Sequence, residues 1–166
     1  AVGDGALYSG EVEVQEIGIP QDLVHQTVCP VQSVEAPFVQ AVLPPRKADG
    51  HKGTFGKVLV VGGAVGYTGA PYLAAEAAVR SGCGLVFLGV PESIWHIEAA
   101  RCVSSMPFPL PEKDGLFSDK ALQGLRDKLA GCDVLALGPG LGRSDRVTRL
   151  VHGLLETGKP VGLDAD

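Results

Sequence analysis

The sequence has few of the features that mark nucleic-acid-binding, membrane or disulfide-rich proteins. Its net charge is −5, and no Lys/Arg cluster is longer than Arg46-Lys47, which argues against a nucleic-acid-binding surface. No apolar run approaches the roughly 20 residues of a membrane-spanning helix, and no signal-peptide pattern opens the chain. The four cysteines show no C-x-x-C spacing, so reduced, buried thiols are expected. We therefore expect a cytoplasmic protein that binds neither nucleic acid nor membrane.

Methionine is equally scarce. The chain contains one, Met106, and does not begin with it; it stops at Asp166, directly after a predicted strand. We therefore expect both ends to be cut from a longer protein. With 45% apolar residues, the 166 present can still bury the core of one domain of ordinary size.

The compact part of the chain is organised around residues 52–88, where a buried strand leads through a glycine-rich turn into an alanine-rich helix and a second strand. Strands alternating with helices predict parallel β-α-β units. Pro107, Pro109 and Pro111 predict a loop, and Ser118 and Ser144 are predicted N-caps. The predicted strands are Lys57–Val61, Leu85–Val90, Asp133–Leu137 and Val161–Leu163, and helices are expected over about 70–80 and 93–100, after Ser118, and from Ser144 to Gly158.

The first fifty residues lack this alternation. Polar and apolar residues alternate through Glu11–Ile17, which predicts one edge strand. Residues 21–50 are rich in proline and show little periodicity, so they are interpreted as a connector with a short extended segment over Val39–Leu43.

Three predicted strands end in unusual residues, and these ends form the candidate site. Gly62-Gly63 follows the first strand, Gly138-Pro139-Gly140-Leu141-Gly142 the third and Asp164-Ala165-Asp166 the fourth. Ligands of parallel sheets bind beyond the carboxyl ends of the strands. Glycines let backbone approach a ligand closely, and the helix start at Gly69-Ala70 offers unpaired N–H groups to an anion. The pattern predicts a phosphate or dinucleotide site.

Two other interpretations of these glycines stay open. One hypothesis for Gly63-x-x-Gly66-x-x-Gly69 is a Rossmann dinucleotide turn, but Leu88-Gly89-Val90-Pro91 closes the second strand without the acidic residue that holds a ribose. An oxidoreductase is therefore poorly supported. Alternatively, the glycines only make a tight strand-to-helix turn.

Taken in order, the motifs resemble the ADP-dependent NAD(P)H-hydrate dehydratase family, which has a ribokinase-like fold. The resemblance implies a three-layer α/β/α domain with a mainly parallel sheet, truncated after the fourth core strand, over residues 51–166. Residues 1–20 resemble the end of the NAD(P)H-hydrate epimerase domain of bifunctional repair enzymes, with residues 21–50 as linker. The motifs are Lys52-Gly53-x-x-Gly56, Gly62-Gly63, Tyr67-Thr68-Gly69-Ala70-Pro71, Arg80-Ser81-Gly82-x-Gly84-Leu85, Gly138-Pro139-Gly140-Leu141-Gly142 and Asp164-Ala165-Asp166.

The resemblance implies a carbon–oxygen lyase that restores NADH or NADPH from (S)-NADHX or (S)-NADPHX through a phosphorylated hydrate. ADP, or ATP, would donate the phosphoryl group with help from Mg²⁺, and the full-length protein would be a homo-oligomer. Asp164 or Asp166 are the candidate metal ligands. The implied substrate-binding residues are Gly69, Ala70, Gly138, Gly140, Gly142 and Asp164.

The family carries its catalytic aspartate in a carboxyl-terminal G-x-G-D-type segment, which this sequence lacks up to Asp166. We therefore expect no catalytic residue in this chain and no turnover by the chain alone. Two alternatives remain: a ribokinase-like kinase of a small vitamin-precursor alcohol, and a non-catalytic nucleotide-binding fragment.

Overall fold

The computed structural model describes residues 3–28, 33–43 and 45–165, and the chain divides into two units, Ala1–Pro45 and Arg46–Asp166. In the first unit, every described side chain is exposed. Its helices are α1 (Gly5–Tyr8), α2 (Gln21–Gln26) and α3 (Ala36–Val42).

The predicted edge strand over Glu11–Ile17 is wrong, because this segment is irregular and pairs with no strand among the described residues. The predicted extended segment over Val39–Leu43 is also wrong. Most of it belongs to α3, which has proline in its first turn, where the missing N–H costs nothing.

In the second unit, strands and helices alternate as the sequence pattern predicts. The elements are β1 (Lys57–Val61), α4 (Gly69–Arg80), β2 (Leu85–Pro91), α5 (Glu92–Arg101), β3 (Met106–Leu110), β4 (Glu112–Lys113), β5 (Leu116–Phe117), α6 (Ala121–Ala130), β6 (Val134–Leu137), α7 (Asp145–Leu155) and β7 (Val161–Leu163). Within residues 45–165, five strands form one parallel sheet in the order β3-β2-β1-β6-β7, and β4 and β5 form an antiparallel hairpin.

Helices cover both faces of the sheet, because side chains along each strand alternate between two apolar cores. Leu59 of β1 belongs to a core that includes residues of α6 and α7. The next residue, Val60, belongs to a second core that includes residues of α4 and α5. The three-layer α/β/α architecture is confirmed.

β3 corrects the prediction of a loop at Pro107 and Pro109, whereas Pro111 lies just after the strand. The segment pairs with β2 from Phe87↔Met106 to Pro91↔Leu110 and lies at the edge of the sheet. An edge strand tolerates proline because half of its backbone groups face no neighbouring strand. β7 is therefore the fifth strand of the sheet and not the fourth.

Of the two serines predicted to cap helices, one does so and the other does not. Ser144 caps α7, where its hydroxyl oxygen accepts a hydrogen bond from the Val147 N–H at 3.2 Å. Ser118 does not cap α6: it lies before Lys120, the residue preceding the helix, and its hydroxyl donates to the Pro111 carbonyl at 3.0 Å.

The thiols of Cys83, Cys102 and Cys132 are free, with Cys132 buried and the other two half-buried, and Cys29 lies outside the described residues. Where the structure describes the chain, no helix has both the length and the apolar character needed to cross a bilayer.

Candidate functional site

Backbone hydrogen bonds join the three predicted segments at the carboxyl edge of the sheet. The Gly138 N–H donates to the Val61 carbonyl at 3.1 Å, and the Asp164 N–H donates to the Leu137 carbonyl at 2.9 Å. The Gly63 N–H donates to the Pro139 carbonyl at 2.8 Å. The loop after β1, the turn after β6 and the end of β7 therefore form one continuous backbone surface.

The turn after β6 needs glycine for both conformation and space. Gly140 has φ +68°, and a Cβ added there would lie 3.0 Å from the Tyr67 Cβ and 3.5 Å from the Ala70 Cβ. Gly138 has φ +127°, and an added Cβ would lie 2.7 Å from the Asp164 Cβ. Close contact between the turn, α4 and β7 therefore depends on missing side chains.

The start of α4 differs from the turn after β6, because the glycines of this helix start face open space. An added Cβ at Gly66 or Gly69 would meet no heavy atom within 4 Å, and Ala70 is exposed. The Thr68 side chain makes no capping hydrogen bond, so the first-turn N–H groups keep no helical or capping acceptor. Such a helix start attracts an anion through its N–H groups and its dipole.

Helix α5, which shares an apolar core with α4, carries a buried carboxyl group that the sequence analysis missed. Glu98 of α5 has an exposed fraction of 0%, and neither of its oxygens has a hydrogen-bond partner among the described residues. Burial raises the pKa of this carboxyl group, and the nearby Arg101 partly opposes that rise. Arg101 also donates to the carbonyl of Thr68, the residue before α4, at 3.4 Å. No sequence motif marks Glu98, since its burial depends on how α5 lies on the sheet.

The β4–β5 hairpin was also missed, and it borders the site. Leu116 fills the space beside Gly142, where an added Cβ would lie 2.7 Å from the leucine Cδ2. The Asp114-Gly115 dipeptide between the two strands is a recognised hairpin-turn signal and would have identified the hairpin.

Asp164 brings an exposed carboxylate to this edge, and Asp166 lies outside the described residues. Within the described ranges, no three His, Cys, Asp or Glu side chains are grouped closely enough to hold a metal ion alone. Magnesium usually takes one or two carboxylates together with substrate phosphates. Asp164 is an exposed carboxylate of this kind at the carboxyl edge of the sheet.

The Lys52-Gly53-x-x-Gly56 motif lies elsewhere, at the amino edge of the sheet. The Gly84 N–H donates to the carbonyls of Phe55 and Gly56, both at 3.1 Å, just before β2 and β1 begin. An added Cβ at Gly84 would overlap the Lys52 carbonyl. In this unit the motif joins the starts of two strands and does not contribute to the site.

The parallel sheet with helices on both faces and glycine-lined backbone at adjoining strand ends defines a nucleotide-binding type of α/β protein. Residues 58–166 match the family model described as NAD(P)H-hydrate dehydratase, and the chain belongs to that family. The resemblance seen in the sequence motifs is confirmed.

Relatives are similar over nearly the whole chain. The bifunctional NAD(P)H-hydrate repair enzyme Nnr of Moorella thermoacetica is 44% identical over 99% of this chain and 32% of its own length. The enzyme of the same name from Salinibacter ruber is 38% identical over 99% of this chain and 32% of its own length. The chain thus spans about a third of the length of these curated relatives.

Solved structures show the same fold. The ADP/ATP-dependent NAD(P)H-hydrate dehydratase of Bacillus subtilis, co-crystallised with ATP/Mg²⁺, matches with a TM-score of 0.60 and 29% identity, over 78% of this chain and 44% of that one. A ribokinase-like superfamily protein of Enterococcus faecalis matches with a TM-score of 0.64 over 78% of this chain and 43% of that one, and at 24% identity it supports the fold alone. The ribokinase-like fold prediction is confirmed.

Proposed function

We propose that this chain binds a hydrated nicotinamide dinucleotide, (S)-NADHX or (S)-NADPHX, for ADP-dependent dehydration to NADH or NADPH by the longer protein. The observation that carries the proposal is the contact between the Gly140 turn and the start of α4. This contact brings the glycine-rich turn after β6 next to the glycine-rich start of α4. An elongated ligand with a central pyrophosphate needs two such accessible backbone segments side by side.

In this proposal, each segment of the site has a separate role. The first-turn N–H groups at Gly69 and Ala70 hold the pyrophosphate by hydrogen bonds and the helix dipole. The turn from Gly138 to Gly142 lies against the nicotinamide ribose. ADP, or ATP, with Mg²⁺ would supply the phosphoryl group for the ring hydroxyl. Asp164 is the described residue that would hold Mg²⁺, and catalysis of such a transfer depends chiefly on positioning and charge stabilisation.

Gly140→Ala tests the binding proposal, with Gly158→Ala as a matched control. Both glycines have φ +68°, so both substitutions carry similar backbone strain, but an added Cβ at Gly158 meets nothing within 4 Å. We expect titration calorimetry with (S)-NADHX to show an affinity loss of about tenfold or more for Gly140→Ala, equivalent to about 1.4 kcal/mol. Gly158→Ala should retain wild-type affinity, because Gly158 lies between α7 and the start of β7, at the amino ends of the strands.

Equal affinities for the two variants would contradict the proposed site.

A thermal-shift comparison tests the class of ligand. Stabilisation by (S)-NADHX supports dinucleotide repair, whereas stabilisation only by a thiazole or pyrimidine alcohol would replace it with a vitamin-precursor kinase.

A further inference from the structure

We propose that the β4–β5 hairpin positions the two glycine-rich segments of the site, and that Arg146 is the residue that holds the hairpin in place. The inference rests on the proposed function for its link to ligand binding, although its structural part can be tested without a ligand.

The hairpin is short and conformationally restricted. Its two central residues, Asp114 and Gly115, have φ of +57° and +75°. Positive values at both positions characterise the tight two-residue turn whose twist matches that of the paired strands. At the base of the hairpin, Phe117 is fully buried in the core that includes α6 and α7. Its tip is therefore carried on a fixed support.

The tip contacts the segments that follow β1 and β6. The Val65 N–H, in the loop after β1, donates to the Gly115 carbonyl at 3.0 Å. An added Cβ at Gly115 would lie 2.9 Å from the Val65 Cβ, so the two backbones are in close contact. The adjacent Leu116 fills the space beside Gly142, in the turn after β6. One small element thus contacts both glycine-rich segments.

Two polar attachments hold the hairpin to the helices behind it. Arg146 of α7 donates from Nη2 to the Asp114 carboxylate at 3.0 Å and to the Lys113 carbonyl at 3.3 Å. On the other side, the Glu112 carboxylate accepts hydrogen bonds from the N–H and the hydroxyl of Ser93, at the start of α5.

The Arg146 attachment affects position more than stability. The Arg146 side chain is 24% exposed, but its partner Asp114 is 71% exposed. An ion pair whose carboxylate lies in solvent is screened by water and contributes little to the free energy of unfolding. Loss of the pair should therefore leave the unit folded while releasing the hairpin tip from α7. A comparison pair lies on the same helix, where Arg149, with a side chain 61% exposed, bonds to Asp119 at 2.8 Å, away from the tip.

The experiment compares Arg146→Gln with Arg149→Gln in the full chain. NMR hydrogen exchange reports on the Val65 amide, whose acceptor is on the hairpin, and titration with (S)-NADHX reports on the site. For Arg146→Gln we expect Val65 exchange to accelerate by about tenfold and the dissociation constant to rise by about three- to tenfold. For Arg149→Gln we expect both quantities to remain at the wild-type values. Asp114→Asn, at an exposed position, should accelerate Val65 exchange in the same direction by a smaller factor, because Arg146 keeps its hydrogen bond to the Lys113 carbonyl. It serves if Arg146→Gln does not fold.

The exchange of charges, Arg146→Asp with Asp114→Arg, should restore slow exchange at Val65, which a general loss of stability would not do. Unchanged Val65 exchange in both Arg146→Gln and Asp114→Asn would overturn the positioning role. Accelerated exchange with an unchanged dissociation constant would overturn the link to binding. If the wild-type chain does not bind (S)-NADHX but Val65 exchange responds as expected, the proposed function fails and the positioning role stands.

Discussion

Glu98 shows how a single residue can have a property that its sequence position does not reveal. It lies on α5 with Trp95 and Ile97, whose side chains are partly exposed, yet its own side chain is fully buried. A charged carboxylate in that environment loses its hydration, and its oxygens gain no hydrogen-bond partner among the described residues. The protonated form is therefore favoured by the folded protein, which is the physical cause of the raised pKa.

The residue-scale prediction concerns the pH dependence of stability. Because the folded-state pKa is raised, the stabilising contribution of the protonated form is complete below the ordinary pKa of 4.5 and is lost as the pH rises through the folded-state pKa. Glu98→Gln, which cannot ionise, should therefore raise the melting temperature at pH 8 by about 2–4 °C for each kcal/mol recovered. The gain over wild type should shrink towards pH 4.

Calorimetric melting at several pH values measures this effect. Glu92→Gln, at an exposed position on the same helix, is the control and should give no increase at pH 8. A Glu98→Gln protein that melts below wild type at pH 8 would show that the carboxylate is ionised and stabilised in the fold. A difference independent of pH would show that folding does not shift the pKa of Glu98.

At the scale of elements, local signals worked where they concern one helix end or one turn. Ser144 was correctly identified as a cap because an N-cap serine bonds to an N–H three residues along. The prediction that Ser118 caps a helix was wrong, because its hydroxyl group donates to the carbonyl of Pro111, in a separate segment, instead. The loop predicted at Pro107 and Pro109 was wrong for a related reason: proline lowers strand propensity, but pairing with β2 at the sheet edge outweighs that preference.

The element-scale prediction concerns the start of α7. Ser144→Ala removes the acceptor of the Val147 N–H and should lower the free energy of unfolding by about 1 kcal/mol. Ser144→Asp keeps an acceptor in that place and should remain close to wild type. Urea denaturation of the three proteins measures the difference. Equal losses for both variants would mean that the hydroxyl group stabilises α7 by something other than capping.

At the scale of the whole molecule, the two units differ in burial. Among residues 3–28 and 33–43 every side chain is exposed, and the helices there have 4 to 7 residues. Isolated helices shorter than roughly 12 residues are marginal in water. In the second unit, Leu59, Val60 and Val61 of the central strand β1 have exposed fractions of 0%.

We therefore expect hydrogen exchange to separate the two units. Amides of β1 and β6, in the middle of the sheet, should exchange at the slow rate set by global unfolding, and amides of residues 3–43 should exchange at close to the unprotected rate. Mass spectrometry after timed exposure to heavy water measures both. Strong protection within residues 5–8 or 21–26 would contradict this view of the first unit.

The assignment of residues 1–20 to an epimerase-like tail stays a prediction. The assignment of the full-length protein to a homo-oligomer also stays a prediction.

The sequence by itself determined the parallel α/β class, most strand and helix positions of the second unit, and the three glycine- or aspartate-bearing strand ends. It could do so because apolar periodicity, glycine and helix caps act over a few neighbouring residues. Only the tertiary structure decided that the turn at Gly140 contacts Ala70, that Glu98 is buried, that β3 is a strand and that the Asp114-Gly115 hairpin touches two loops of the site. Each of these depends on contacts between segments distant in the chain, and those contacts exist only once the sheet has set the order of its strands.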